Sequence, residues 1–444
     1  MKKKRSFKIA GKLIGGLILL LGILFVVGKL FLDPYRGTIR TWSSSPSKPL
    51  DYLLSSEEAR EDISFLMNKL KERHPAFLDG IPKAVQEQYD KEMDGINGEI
   101  SVLHLWQASA RILSKLKDGH TNIGYQTKEP YRLPLNFHYE DGVLSCMDDS
   151  FQEFTVSKIN GLSWENLYQT YKEQFSYELE SYALYRFAQK LPYKTFLAFI
   201  GLDPSNPITL TILTEKGEEE VTYSFALEEI SDQESDDIPF VSYTIDQEKS
   251  LGIFTLLSCD NTPYYRDTVK QFFTEVKEND IQYIAVDLRD NPGGNSSVAD
   301  EFIRYLNIEK YYITGGCDIR YGPFLKKYSK SITKNKQIED LVFKGKTYVL
   351  TSTQTFSSAM MFATILSDNQ IGEIIGEIPG NMPSSYGDIL YFQTPNAKLD
   401  FTVSYKYFRR IDDSKLNLPL IPDYEVDANN AIHQLYEIIH QKET

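Results

Sequence analysis

Cysteine is scarce in these 444 residues: Cys146, Cys259 and Cys317 are the only three, and none stands in a CxxC pair or beside a run of histidines. A disulfide framework and a thiolate zinc site are therefore not indicated, and all three thiols are expected to pack as small apolar side chains. Excess positive charge is missing too. With 48 Lys and Arg against 62 Asp and Glu the chain carries −14, which argues against a nucleic-acid partner, since phosphates attract basic surfaces. There is no internal repeat or low-complexity tract, and a 41% hydrophobic content excludes a disordered or collagen-like chain. At roughly 100–200 residues per domain, the length allows two or three domains.

Acidic residues are absent from the first 32 positions, which hold Lys2, Lys3, Lys4, Arg5, Lys8, Lys12 and Lys29; the rest has 41 basic residues against all 62 acidic ones, or −21. Within that stretch LIGGLILLLGILFVVG, Leu13 to Gly28, is uncharged. Widened by its apolar flanks to about 24 residues, it is long enough to cross a bilayer core of about 30 Å, with Lys12 and Lys29 snorkelling outward. No small-x-small site follows it, because Lys29 is succeeded by Leu30 and Phe31. A single-pass signal anchor is expected in preference to a cleaved signal peptide or a buried soluble helix. The positive-inside rule then puts the N-terminus in the cytoplasm and everything beyond residue 32 on the extracellular side of the cell membrane.

Residues 33–50 are rich in Ser and Pro and read as a stalk. Ser55 and Glu58 form a capping box for a helix in which Ile63, Phe65, Leu66 and Leu70 share a face, and His74-Pro75 should end it. A second helix is predicted over 84–95 and a third from Ser101 to Lys117, so 51–125 is a small helical domain. Residues 126–239 form a β-rich insert: a strand at FTVSKI, a turn at Asn160-Gly161, a helix near Trp164, and a hairpin around Lys216-Gly217 followed by an acidic linker at 228–237. From 240 to 430 strands and helices alternate: LGIFTLL, helix 263–278, strand 281–288, helix 296–307, strand 346–352, helix 358–368, then IGEIIGE. That alternation predicts an α/β layer on a largely parallel sheet, followed by a C-terminal helix over 431–444. The fold class is α/β, with an N-terminal transmembrane helix, a small helical domain, a β-rich middle region and a C-terminal α/β domain.

Three short segments carry chemistry. VDLRDNPGG, 286–294, ends a strand in a turn where Gly293 and Gly294 allow positive φ and close approach of backbone N–H groups to a ligand, although a plain tight turn has the same look. In TSTQTFSSAMMFA, 351–363, Ser357 falls at a helix N-terminus, where unpaired N–H groups can hold an oxyanion or where the serine simply caps the helix. In LKDGHTNIGY, 116–125, His120 lies in a loop beside Gly119 and is the best placed of the six histidines for a general base near neutral pH. The other five fall in helices or strands, or precede a proline.

The order DGHT, VDLRDNPGG, TFSSA, IIGE (374–377) and LPLIPDYEV (418–426) resembles the tail-specific, or C-terminal processing, family of serine peptidases, over residues 55–125 and 240–430. The resemblance implies a ClpP/crotonase-like catalytic domain at 240–430. VSKINGL (156–162) is faintly similar to the PDZ-type insert of that family. The Ser–Lys branch places a lysine about 25 positions after the serine; here Met382 stands there, and no Lys occurs between Ser357 and Lys398. His120 matches instead the histidine of the tricorn-like branch. The resemblance implies Ser357 as nucleophile, His120 as base, and an oxyanion hole from Ser358 with Gly293 or Gly294. Tricorn-like enzymes add a serine before the histidine and a glutamate upstream of the PD motif, where this chain has Gly119 and Leu416. Asp412 is taken as the substitute acid. Asp118 is the alternative that holds the loop, while Asp423 and Glu377 are read as structural. The expected activity is cleavage of peptides or partly unfolded polypeptides through an acyl-enzyme, with no metal or organic cofactor. The alternative is a catalytically inactive peptide- or lipid-binding protein on the same fold.

Overall fold

The computed structural model describes residues 2–31, 33–39, 44–204, 207–228 and 238–443. Apart from Glu228, the acidic linker predicted over 228–237 lies outside the described residues. Helix Lys2–Phe31 contains one segment, Leu13–Leu30, long and apolar enough to cross a membrane and not buried by the rest of the chain; a signal sequence passes the same test of length and composition.

Local sequence accounts for the helical unit. Ser55 accepts the Glu58 N–H while Glu58 accepts the Ser55 N–H, and helix Ser56–Arg73 then runs to His74, where Pro75 turns the chain. Helices Lys83–Gly95 and Val102–Ser114 complete it. The third is one turn shorter than predicted, because Lys117 at φ 51° breaks the chain away into the loop that carries His120.

The described residues of the predicted stalk, 33–39 and 44–50, are not free of the folded domain. The Ile39 N–H bonds Tyr391 O at 2.9 Å, the Lys48 N–H bonds Ala397 O at 3.0 Å, and the Tyr35 and Tyr405 hydroxyls meet at 2.9 Å. Backbone groups on both described pieces find partners on the folded domain, so these pieces are straps rather than spacers.

The insert is an antiparallel sheet in the order Gly217–Tyr223, Ile208–Thr214, Glu153–Ile159, Val143–Asp148, Leu135–Glu140, and it also contributes helices Trp164–Glu173, Glu180–Lys190 and Lys194–Phe199. The α/β layer follows the predicted alternation. Its sheet runs Val241–Asp246, Leu251–Leu256, Tyr283–Asp287, Lys346–Thr351, Gly372–Gly376, Tyr424–Glu425, all parallel after the antiparallel first pair. One face packs on helices Pro263–Glu278, Ser297–Ile303 and Ser358–Asp368, and the other on Ala431–Glu443.

A second antiparallel sheet, not evident from the residue pattern, pairs Phe324–Ser329, Gly316–Tyr321, Asp400–Arg409 and Ser385–Gln393 in that order. Although these strands lie within 240–430, Leu390, Phe392, Phe401 and Val403 belong to the same core as the helical unit and the insert. The boundaries at 125, 239 and 430 therefore do not separate independent cores. This sheet joins the unit carrying His120 to the layer carrying Ser357. All three cysteines are free and buried.

Candidate active site

Ser357 ends the loop between strand Lys346–Thr351 and helix Ser358–Asp368, at φ 54° and ψ −120°. A residue with a Cβ is strained in that region, and the strain turns the hydroxyl out of the helix end, as at a nucleophile elbow. Neighbouring bonds hold it there. Thr355 Oγ1 donates to Leu288 O at 2.7 Å, the Phe356 N–H bonds Asn291 O at 3.0 Å, and the Ser357 N–H bonds the buried Asn381 Oδ1 at 2.7 Å. Ser357 makes no side-chain cap bond to its helix, so capping is not its role.

His120 Nε2 lies 2.9 Å from Ser357 Oγ across 237 positions of sequence. Its loop is pinned on every side. The Asp118 N–H bonds Ser176 Oγ, the Gly119 N–H bonds Glu178 Oε1, the His120 N–H bonds Asp118 Oδ1, and His120 O accepts from Thr402 Oγ1. A side chain at position 119 would press on the Phe356 ring at 3.2 Å, which explains the glycine where the tricorn-like pattern has serine.

On the other side of the imidazole, Nδ1 is buried without a hydrogen-bond partner and faces Asp118 Oδ1 at 3.9 Å. Asp118 is fully buried, and its Oδ2 lies 3.2 Å from His74 Nε2. His74 Nδ1 accepts the Ala76 N–H, so the ring proton sits on Nε2 and is donated to Asp118. Burial alone would raise the Asp118 pKa, but the His74 bond, the two imidazoles and the Thr121 hydroxyl hold it down to about 2. Burial lowers the His120 pKa, opposed by the charges of Asp118 and Asp388, which keeps the ring neutral and able to accept a proton.

Asp412 is not part of this arrangement. Its carboxylate caps a short 3-10 turn through Ser414 and pairs with Lys415, and its own N–H bonds Asp368. With three donors on its carboxylate this loop acid is engaged locally, and the acid that faces His120 is Asp118 rather than Asp412. Glu377 accepts from Thr353 and Ala428, and Asp423 from the Ile374 N–H, both as structural groups.

The two glycines differ. On Gly293, at φ 106°, a Cβ would come within 2.7 Å of Ser357 Cβ; on Gly294, at φ 134°, within 2.3 Å of Cys259 O. The Gly293 N–H is already given to Asn291 Oδ1 at 2.9 Å, whereas for the Gly294 and Ser358 N–H groups there is no internal acceptor among the described residues.

Glu178 was not singled out in the sequence. It comes from the insert, and its two oxygens accept the Gly119 N–H at 3.3 Å and the Met382 N–H at 2.8 Å, tying the histidine loop to the segment that supports Ser357. Burial and the Asp118 charge raise its pKa to about 8, against the two backbone donors. Donor atoms of Asp118, His120 and Glu178 lie within 4.8 Å of one another, a spacing open to a cation. Their oxygens, however, are engaged by His74 and backbone N–H groups, which makes the cluster a hydrogen-bond network. Ser357 and His120 open onto a narrow cleft of about 50 Å³, lined also by Ser358, Met361, Tyr386 and Asp388.

Residues 251–426 match the family model for peptidase family S41. The chain carries an S41 peptidase domain. It is thereby a serine-type peptidase, and the tail-specific resemblance agrees with that. Among solved structures, mature CPAF superposes with a TM-score of 0.63 at 15% identity, over 87% of this chain and 96% of that one. Its complex with lactacystin gives 0.62 at 14%, over 87% and 97%. A candidate peptidase from Parabacteroides merdae gives 0.50 at 13%, over 87% and 97%. At these identities the structural matches speak for the fold alone. No curated protein matches the sequence.

Proposed function

We propose that this S41 protein is a membrane-anchored, extracytoplasmic serine peptidase acting through Ser357 and His120. The observation that carries the reading is the 2.9 Å bond between His120 Nε2 and Ser357 Oγ, formed between a loop of the helical unit and a helix end of the α/β layer. His120 takes the hydroxyl proton as Ser357 attacks a peptide carbonyl, then returns it to the leaving amine, and water resolves the acyl-enzyme. Asp118 offsets the imidazolium charge that forms in between. The N–H groups of Gly294 and Ser358 receive the oxyanion, a contribution of about 3–4 kcal/mol per donor in other hydrolases.

The substrate is a peptide or an unfolded polypeptide. Strand Ser385–Gln393 is the last of its sheet; Tyr391 is covered by Ile39, while Ser385, Tyr386 and Asp388 line the cleft beside Ser357. An extended chain added to that edge brings its carbonyls past the nucleophile. The apolar helix is the anchor, and the basic tip favours a cytoplasmic N-terminus.

Labelling of the full-length protein with a fluorophosphonate tests the chemistry. Labelling that disappears in Ser357→Ala and falls in His120→Ala is the expected result. Labelling unchanged in Ser357→Ala refutes the nucleophile, and a folded wild type that never labels or cleaves points to the inactive binding protein. Protease protection of the C-terminal part in intact cells would refute the extracytoplasmic location.

A further inference from the structure

A second cavity, of about 590 Å³, shares no residue with the catalytic cleft and is lined by Leu30, Arg36, Lys69, Lys71, Arg73 and Arg320, together with Glu72. Five cations thus meet one acid, and Lys69 already holds Glu72 at 3.2 Å. Beyond residue 32, where the chain is otherwise strongly acidic, this is a local reversal of sign.

Of its three arginines, Arg73 and Arg320 are 7% and 6% exposed. Arg320 gives its guanidinium to Gly322 O, His74 O and Lys71 O at 2.9, 2.8 and 2.6 Å, which closes the C-terminus of helix Ser56–Arg73 without supplying a countercharge. Arg73 is less satisfied. It donates to Arg36 O at 3.0 Å, stands 4.0 Å from Glu72, and keeps a buried Nε with no partner. Asp33, which also feels Arg73, is taken by Lys29 at 3.0 Å. Burial pushes both arginine pKa values down, and for Arg320 the Arg73 charge adds to it. Arg73 has only Glu72 at 4.0 Å, which Lys69 holds more closely, and Arg320 has no ion pair among the described residues; two nearly buried guanidinium groups so weakly countered, open to a cavity, suit a bidentate oxyanion such as phosphate.

The position of the cavity selects the source of that phosphate. Leu30 belongs to the apolar helix, and Arg36 Nη1 donates to Leu30 O, so the cavity stands at the point where the helix meets the folded domain. The Gly322-Pro323 turn at its wall leads into Phe324, 63% exposed, and Tyr35 is 59% exposed. Exposed aromatic side chains beside cations match the composition of a membrane interface. We propose that Arg73 and Arg320 bind the phosphate of an anionic phospholipid and so seat the peptidase against the bilayer at the foot of its anchor. The location rests on the membrane-anchored reading above.

The test uses full-length protein, delipidated in detergent and titrated with phosphatidylglycerol, phosphatidylcholine and inorganic phosphate in parallel. Saturable binding of phosphatidylglycerol about tenfold tighter than phosphatidylcholine is expected, reduced to the phosphatidylcholine level in Arg73→Gln with unchanged circular dichroism. Should Arg73→Gln fail to fold, the rim pair Arg36→Gln with Lys71→Gln decides, with a loss of about threefold or more expected. Equal affinity for the two lipids, unchanged phosphatidylglycerol binding in these variants, or full displacement of the lipid by millimolar phosphate would each overturn the proposal. The intact mass of protein extracted from membranes reports separately on the anchor: a chain cleaved after the apolar helix removes the anchored reading, and the lipid titration still decides the site.

Discussion

Replacing Asp118 by Asn should preserve the shape of the active site and remove the buried charge that faces His120. In the proposed acylation step the imidazole becomes positive, and Asp118 Oδ1 stands 3.9 Å from its Nδ1. Two unit charges at that separation interact by about 4 kcal/mol at an effective dielectric near 20, so kcat is expected to fall about 10³-fold. Packing suffers as well. The carboxylate accepts from both His74 and the His120 N–H, and an amide keeps only one acceptor and turns an NH₂ toward the other donor, costing about 1–3 kcal/mol of stability. The pH dependence has a definite sign. A folded pKa of about 2, below the ordinary 3.8, gives stability that is present above 3.8 and is lost as pH falls through about 2. The variant should lack that acid-driven loss. Fluorophosphonate labelling rates and peptide cleavage at pH 8, beside thermal melts, measure both effects, with Asp412→Asn as the control expected to stay within about twofold. A folded Asp118→Asn within tenfold of wild type, or an Asp412→Asn that loses as much, would refute the assignment of the charge partner.

Three further outcomes are expected. Because the Glu178 carboxyl is raised to about 8, the stability it lends is present below about 4.5 and declines as pH rises through 8; Glu178→Gln should flatten the melting temperature between pH 6 and 9, and an identical decline in the variant contradicts this. Burial lowers the His120 pKa, so the acid limb of kcat/KM should lie below pH 6.5, and a limb at 7 or above argues against His120 as the base. Asn381→Ala removes the acceptor that holds the Ser357 N–H and should cost about 10²-fold in labelling rate with a modest drop in melting temperature; full activity would show that the strained serine needs no such support.

Legibility in the sequence followed the range of the interaction. The capping box at Ser55 and Glu58, the His74-Pro75 stop and the alternating strands of the α/β layer are written in neighbouring residues, and the structure has them within a few positions. Ser357 and His120 were legible because motif order survives where overall similarity does not. The sheet that includes Ser385–Gln393 and Asp400–Arg409 was not, since its pairing partners lie up to hundreds of positions away and its exposed face blurs the alternation. Asp412 is near in sequence to the position of the missing glutamate, and nearness in sequence says nothing about what a carboxylate meets in space.

The sequence by itself determined an apolar helix of membrane length behind a basic tip, the absence of a lysine between Ser357 and Lys398, and a serine and a histidine in loops fit for catalysis. Those are properties of residue type and local spacing. Only the tertiary structure decided that the two loops meet at 2.9 Å, that Asp118 faces the imidazole, and that Glu178 from the insert ties the histidine loop to the Met382 segment. Hydrogen bonds and charge pairs act over a few ångströms, and which groups come that close depends on how separate elements share a core.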